Sequence, residues 1–415
     1  MRKLILSAIL VASSATMFAQ KLDAVKEKID SKKYDEAKKE IDKILADPKG
    51  QKNANAWFYK GIVYTNLGMD STKTDMDYKG EAFNAFKKYY ELDPKNVMGT
   101  LDQNVRMFQL YEGYYTQAVK DYNANNFAGS FNNFKNVLAV EEYISQKGFT
   151  YTGINIPAFD TALHLNIAAT ASKAKMEDSA MVYYQRLADK KIKGENYIEI
   201  YQLLVDYYIK KGDEANKAKY LALGRELYPE SDYWFEAELS PVREDKAKLF
   251  AKYQELTKAN PTNYYLNYNY AVELFNYVYA GDKKPADAAT YDPMVEVAIA
   301  NAVKANSTPD ANLLMVRYLS EQVYKLEDQS RAIKGATPDA VKKRKDLAAS
   351  VNKTWDKLVP YAETSFTGYT GKKDLKAYEK GNLKFVSNVL IDYYNMKKQF
   401  DKAKSYEDKV KEFGI

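Results

Sequence analysis

The 415-residue chain contains no cysteine and a single histidine, His164. Without cysteine there can be no disulfide, no thiolate metal ligand and no cysteine nucleophile. One imidazole without thiolates cannot build the usual zinc site, which wants several nitrogen or sulfur ligands. It also leaves little for a Ser-His-Asp arrangement; Asp160, one helical turn away, is read as a helix cap. Glycine and proline are sparse, at 18 and 11 residues. No Gly-Lys-Ser/Thr phosphate loop follows a strand-like segment. Adjacent acids such as Glu141-Glu142 point in different directions on a helix, so no carboxylate pair converges by spacing. No catalytic activity, cofactor or metal is therefore expected.

Strong charge of one sign is also missing. The chain has 62 Lys and Arg against 56 Asp and Glu, a net charge of +6. Basic and acidic residues alternate, as in Lys26-Glu27-Lys28 and Lys38-Lys39-Glu40, which reads as solvated helix faces. Nucleic-acid binding would need basic residues gathered on one face, and is not expected.

Long apolar runs are absent except at the start. Arg2 and Lys3 precede a largely apolar stretch from Leu4 to Val11, and small residues follow up to Ala19. This has the layout of a secretory signal peptide, residues 1–19, cut after Ala19. Its apolar part is shorter than the roughly 20 residues a membrane span needs, and no later segment qualifies. The mature chain, from residue 20 on, is expected to be soluble and periplasmic or associated with the cell envelope.

What the sequence does have is helical periodicity that repeats. Trp57, Gly61 and Tyr64 recur at spacings of four and three, one face of a helix. Ala82, Phe86, Tyr89 and Pro94 form a second face and its stop. This set resembles the tetratricopeptide repeat, with an insertion at Thr65 to Gly80. Weaker versions follow. Tyr34, Ala37, Ile41 and Ile44 make one. Tyr114, Ala118, Phe127 and Phe134 make another, with Ser130 where alanine is usual. Then come His164, Ala168, Ala171, Ala180 and Tyr184, and a pair turning at Gly212-Asp213. Tyr265 to Tyr279 pairs with Ala298 and Ala302, and Ile391 to Val410 closes the chain. The expected fold is all-α: an α-solenoid, a right-handed superhelix of about eight or nine tetratricopeptide-like helix pairs. It should be less regular at residues 234–260 and 310–375. Further interruptions are expected at Gln146 to Pro157 (an ordered loop or a short hairpin), Gly281 to Pro293 and Phe366 to Asp374.

The resemblance implies function as well as fold. In tetratricopeptide proteins the first helix of each pair lines a concave groove that holds peptides. Transferred to this chain, that register puts Asn55, Tyr59, Tyr115, Tyr122, Asn166, Lys173, Tyr265, Tyr268 and Asn269 in or near the groove. Tyrosine gives contact area at little entropic cost, and asparagine can pair with a backbone. The expected function is a non-catalytic scaffold or adaptor of the bacterial cell envelope, binding peptide segments or partner proteins. Two rivals stand beside it. One is a glycan-binding or nutrient-uptake accessory, since tyrosine also stacks on sugars. The other is an enzyme built around Glu321, Glu327 and Arg331. Asp70-Ser71-Thr72 is similar to an O-glycosylation signal of exported bacterial proteins.

Overall fold

The computed structural model describes residues 19–281 and 284–415. The expected signal segment, up to residue 18, lies outside the described residues. Among those described, all regular elements are helical, and the one β contact is an isolated bridge between Tyr151 and Ile154. No described helix is long and apolar enough to cross a membrane.

Two compact units are present, one ending at Pro229 and the other beginning at Glu230. In the first, α1 includes residues 19–30. It is followed by α2 (Tyr34–Leu45), α3 (Pro48–Gln51), α4 (Ala54–Met69), α5 (Tyr78–Leu92), α6 (Val97–Leu101) and α7 (Val105–Asn123). Then come α8 (Phe127–Lys147), α9 (Thr161–Lys173), α10 (Glu177–Asp189), α11 (Ile198–Lys211) and α12 (Glu214–Leu227). Helices pack first on their chain neighbours: α4 on α5, α7 on α8, α9 on α10 and α11 on α12. Each pair then meets the next, through α2 on α4, α4 and α5 on α7, α8 on α9, and α10 on α11.

The second unit contains α13 (Tyr233–Leu239), α14 (Lys246–Ala259), α15 (Tyr264–Tyr279) and α16 (Ala288–Ala305). It ends with α17 (Pro309–Ala332), α18 (Pro338–Thr370), α19 (Ala377–Met396) and α20 (Phe400–Lys411). Here α15 pairs with α16, α17 with α18 and α19 with α20, and α15, α17 and α19 also touch in sequence. With α1/α2 in the first unit and α13/α14 in the second this makes nine helix pairs among the described residues, and within each unit a pair packs on the next. That is the α-solenoid the sequence foretold.

Local chemistry sets the helix boundaries. Asn53, Asp77, Asn126, Asp160, Asp213, Asp245, Asn263, Thr308 and Thr337 each cap a helix start by accepting a backbone N–H three residues on. Such caps occupy donors that the first turn leaves unpaired. Pro309 and Pro338 follow two of them at the first helical position, where the missing N–H costs nothing.

The turns inside the pairs carry a shared mark. Lys32, Asn125, Lys175, Gly212 and Lys398 are all left-handed, each two residues before its second helix. The following residue's N–H closes a six-residue loop, for example Met176 to Ala171 O at 2.9 Å and Gln399 to Tyr394 O at 2.8 Å. This is the Schellman ending, usually made with glycine because a Cβ is strained there. Four of the five positions hold a side chain instead.

Small residues permit the close approach of paired helices. A Cβ on Gly61 would stand 2.4 Å from a ring carbon of Phe86. Ser130 replaces alanine without loss because its buried hydroxyl donates to Ala118 O at 2.8 Å. Tyrosines link neighbouring helices a second way, with ring packed and hydroxyl bonded to a carboxylate. Tyr64 reaches Asp42 at 2.6 Å, Tyr207 reaches Asp178 at 2.7 Å, Tyr369 reaches Asp310 at 2.6 Å and Tyr393 reaches Asp356 at 2.9 Å.

Several expected interruptions are shorter than the sequence suggested. The Thr65–Gly80 insertion shrinks to residues 70–77, because α4 runs on to Met69. Thr65 is tolerated there since its hydroxyl bonds back to Gly61 O at 2.8 Å. Pro293 lies inside α16, where its missing N–H removes one intrahelical bond without ending the helix. Gly368 belongs to α18, where its bare Cα lets Pro309 approach; an added Cβ would meet Pro309 at 2.4 Å. Trp57 is only half-buried, donating from Nε1 to Gln51 O at 2.9 Å. The adjacent Phe58 takes the core place, with ring centroids 6.0 Å from Phe86 and 5.0 Å from Tyr89.

Candidate functional site

First helices carry the residues singled out from the sequence. In the first unit Asn55 is exposed near the start of α4. Tyr59 is half-buried, with Lys26, Asp23 and Asp30 of α1 as the charges around it. On α7, Tyr115 is exposed, stacked on Tyr111 and set edge-on to Phe134 at 5.5 Å. Tyr122 and Lys173 do come together. The Lys173 ammonium lies 5.6 Å from the Tyr122 ring centre and 5.2 Å from that of Phe127, a cation–π cluster joining α7, α8 and α9. Asn166 is half-buried on α9, away from that cluster by two turns of helix.

Behind Tyr111 stands a buried acid. Glu141 is 4% exposed, and its Oε2 has no hydrogen-bond partner. Burial first, then the charges of Asp160 and Glu142, push its carboxyl up to about 7. Burial and the nearby Glu141 likewise push the Tyr111 phenol up to about 12. Asp160 serves as the cap of α9, as read, accepting from Leu163 N at 2.8 Å. His164 is buried, stacked on Phe159 at 4.3 Å and donating from Nδ1 to Asp160 O at 2.7 Å. Burial holds its imidazole below the ordinary value, so it packs as a neutral ring.

In the second unit the first helices α15, α17 and α19 lie side by side. Tyr265 donates to Glu236 Oε1 at 2.8 Å, and Asn269 stands beside the phenol one turn on. Tyr268 stacks on Tyr264 at 5.4 Å and feels the charges of Asp310 and Arg317. A hydrogen-bond relay runs beside it. Arg317 Nη2 donates to Asn382 Oδ1 at 3.2 Å, Asn382 Nδ2 donates to Tyr369 Oη at 3.1 Å, and Tyr369 donates to Asp310 Oδ1 at 2.6 Å. The exposed Arg317 guanidinium also lies 5.0 Å from the Phe385 ring centre. Tyr378, 58% exposed, opens on the same surface. The guanidinium is thus held in place, with further N–H donors available for a carboxylate or a backbone carbonyl.

Arg317, Tyr369, Asn382 and Phe385 were missed by the sequence reading. They lie in and after the long helices whose register the repeat pattern does not fix. The proposed enzyme cluster does not form a deep site: Arg331 pairs with Glu327 and Asp328 along the exposed side of α17. Among the described residues no group of His, Cys, Asp and Glu is arranged to hold a metal ion. Ser71 and Thr72 are exposed in the 70–77 loop, with Thr72 bonded to Asp70.

The chain is an all-α array of tetratricopeptide-like helix pairs, recognised by its sequential pairing and its close glycine and alanine contacts. No family model and no curated protein matches the sequence. Solved structures with some likeness include the tetratricopeptide domain of P58(IPK), at 13% identity, covering 90% of this chain and 98% of that one, with a TM-score of 0.24. Another is Naa15/Naa10 bound to HypK-THB, at 17% identity and a TM-score of 0.27; the match covers 95% of this chain and 58% of that one.

Proposed function

We propose that this chain is a non-catalytic protein-binding scaffold or adaptor of the bacterial cell envelope, taking extended peptide segments or partner proteins on its first helices. The observation that carries the reading is the surface of α15, α17 and α19, where Tyr268, Arg317, Phe385 and Tyr378 gather. Aromatic rings and a fixed arginine are the residue types that dominate binding energy at protein interfaces. Peptide binding to such a face needs little rearrangement, because the relay already holds the guanidinium. The layout of the first nineteen residues supports an exported protein.

A photo-crosslinking residue at Tyr378 is expected to capture discrete protein partners in cells of the source. The combined Tyr268→Ala and Arg317→Ala changes should weaken that capture about tenfold or more, the effect of losing two interface hot spots. Equal capture by a crosslinker at Lys353, on the long helix α18, or no loss in the double variant, would remove the proposal.

A further inference from the structure

The second unit holds a cleft that the partner-binding surface does not use. Helices α14 and α16 each pack against α15, and an opening of about 710 Å³ remains beside them. That volume suits a small molecule. Its lining is divided by chemistry. Pro261, Pro293, Met294, Val297 and Ala298 supply apolar surface, and Val297 is 60% exposed. Amides and hydroxyls supply the polar part, including Gln254, Asn301 and Thr257. The only charged residues in the lining are Lys258 and Lys304, in the last turns of α14 and α16 and so at one end of the cleft. Neither lysine takes part in an ion pair among the described residues.

One group in the lining is unsatisfied. Tyr270 of α15 is 6% exposed, its ring stacked on Tyr253 at 5.3 Å, and its hydroxyl has no hydrogen-bond partner. Gln254, beside it in the lining, acts on the phenol as a hydrogen-bonding neighbour but makes no bond of ordinary length and angle to it. A buried phenol hydroxyl without a partner is costly, and most such groups in native proteins find one. A ligand oxygen can supply it here. Lysines on long flexible stems can follow an anionic head, and the absence of any carboxylate in the lining removes the usual repulsion.

We propose that this cleft binds a small organic anion with an apolar body, its acidic head accepting from Tyr270 and neutralised by Lys258 and Lys304, its body against Met294 and Val297. A monocarboxylate such as a medium-chain fatty acid has this form. The proposal is independent of the partner-binding surface, which lies on other residues.

Anilinonaphthalene sulfonate serves as the probe, with decanoate and decylammonium as competitors on the full chain. Decanoate is expected to displace the probe and decylammonium to leave it bound. Tyr270→Phe and the pair Lys258→Ala with Lys304→Ala should each weaken decanoate about tenfold or more, as loss of a hydrogen bond to a charged group does. Tyr270→Phe keeps the ring and removes an unpartnered group, so folding, checked by circular dichroism, is retained. Equal competition by the two amphiphiles, or wild-type decanoate affinity in both variants, overturns the proposal. Crosslinking from Tyr378 should be unchanged in these variants.

Discussion

At pH 8.5 the Glu141→Gln variant is expected to be about 3 kcal/mol more stable than the wild type, and at pH 4 to match it. The carboxyl is buried between α7 and α9 with one oxygen unpartnered, and its affinity for a proton rises from the ordinary 4.5 to about 7. A folded state that holds the proton more tightly than the unfolded chain gains stability from it at low pH. That gain is complete below about pH 4.5 and is lost as pH rises through 7. Glutamine imitates the protonated form at every pH. His164 works in the opposite sense: held below its ordinary value, it contributes above that value and loses the contribution as pH falls. Both proteins share His164, so the difference between them isolates Glu141. Urea midpoints at the two pH values are the measurement. Parallel pH profiles would mean that the carboxyl is solvated.

The second large effect is at the closest helix contact. Phe86→Ala should destabilise by about 3–5 kcal/mol, the usual result of emptying a buried phenyl site. Phe86 has no exposed surface. The same change should reverse the sign of a neighbouring substitution. Gly61→Ala alone puts a methyl 2.4 Å from the Phe86 ring, and overpacking of this kind costs roughly 1–3 kcal/mol. With the ring gone, only the helix preference of alanine over glycine remains, about 1 kcal/mol in its favour. A double-mutant cycle of denaturant midpoints reads the coupling directly. Additive effects would show that the two residues do not share the contact.

The sequence and structure agree where a side chain's chemistry admits one backbone. Gly61, Ala82 and Phe86 announced a helix pair because only small residues permit that approach. Asp160 announced a cap. The turns were legible only at Gly212. At Lys32, Asn125, Lys175 and Lys398 the backbone is the same but the residue carries a Cβ, so no glycine marks the corner. Loop lengths were overestimated where a polar or small residue is satisfied inside a helix, as with Thr65 and Gly368. The candidate surface was half legible. Tyrosines on first helices could be counted off in register, but Arg317 and Asn382 meet only through the packing of long helices that no periodic pattern orders.

The tyrosine–carboxylate clips between neighbouring helices have a consequence in alkali. Each phenol donates to a negative partner, and losing its proton would set two anions side by side. Burial and Glu236 push Tyr265 up to about 12, above an ordinary value of 10. The Tyr265 clip therefore contributes in full below pH 10 and is lost as the pH rises through about 12, while Tyr64 and Tyr369, raised further by burial and their aspartates, hold longer. Phenolate absorbance should then climb in stages, the Tyr265 clip opening before those of Tyr64 and Tyr369.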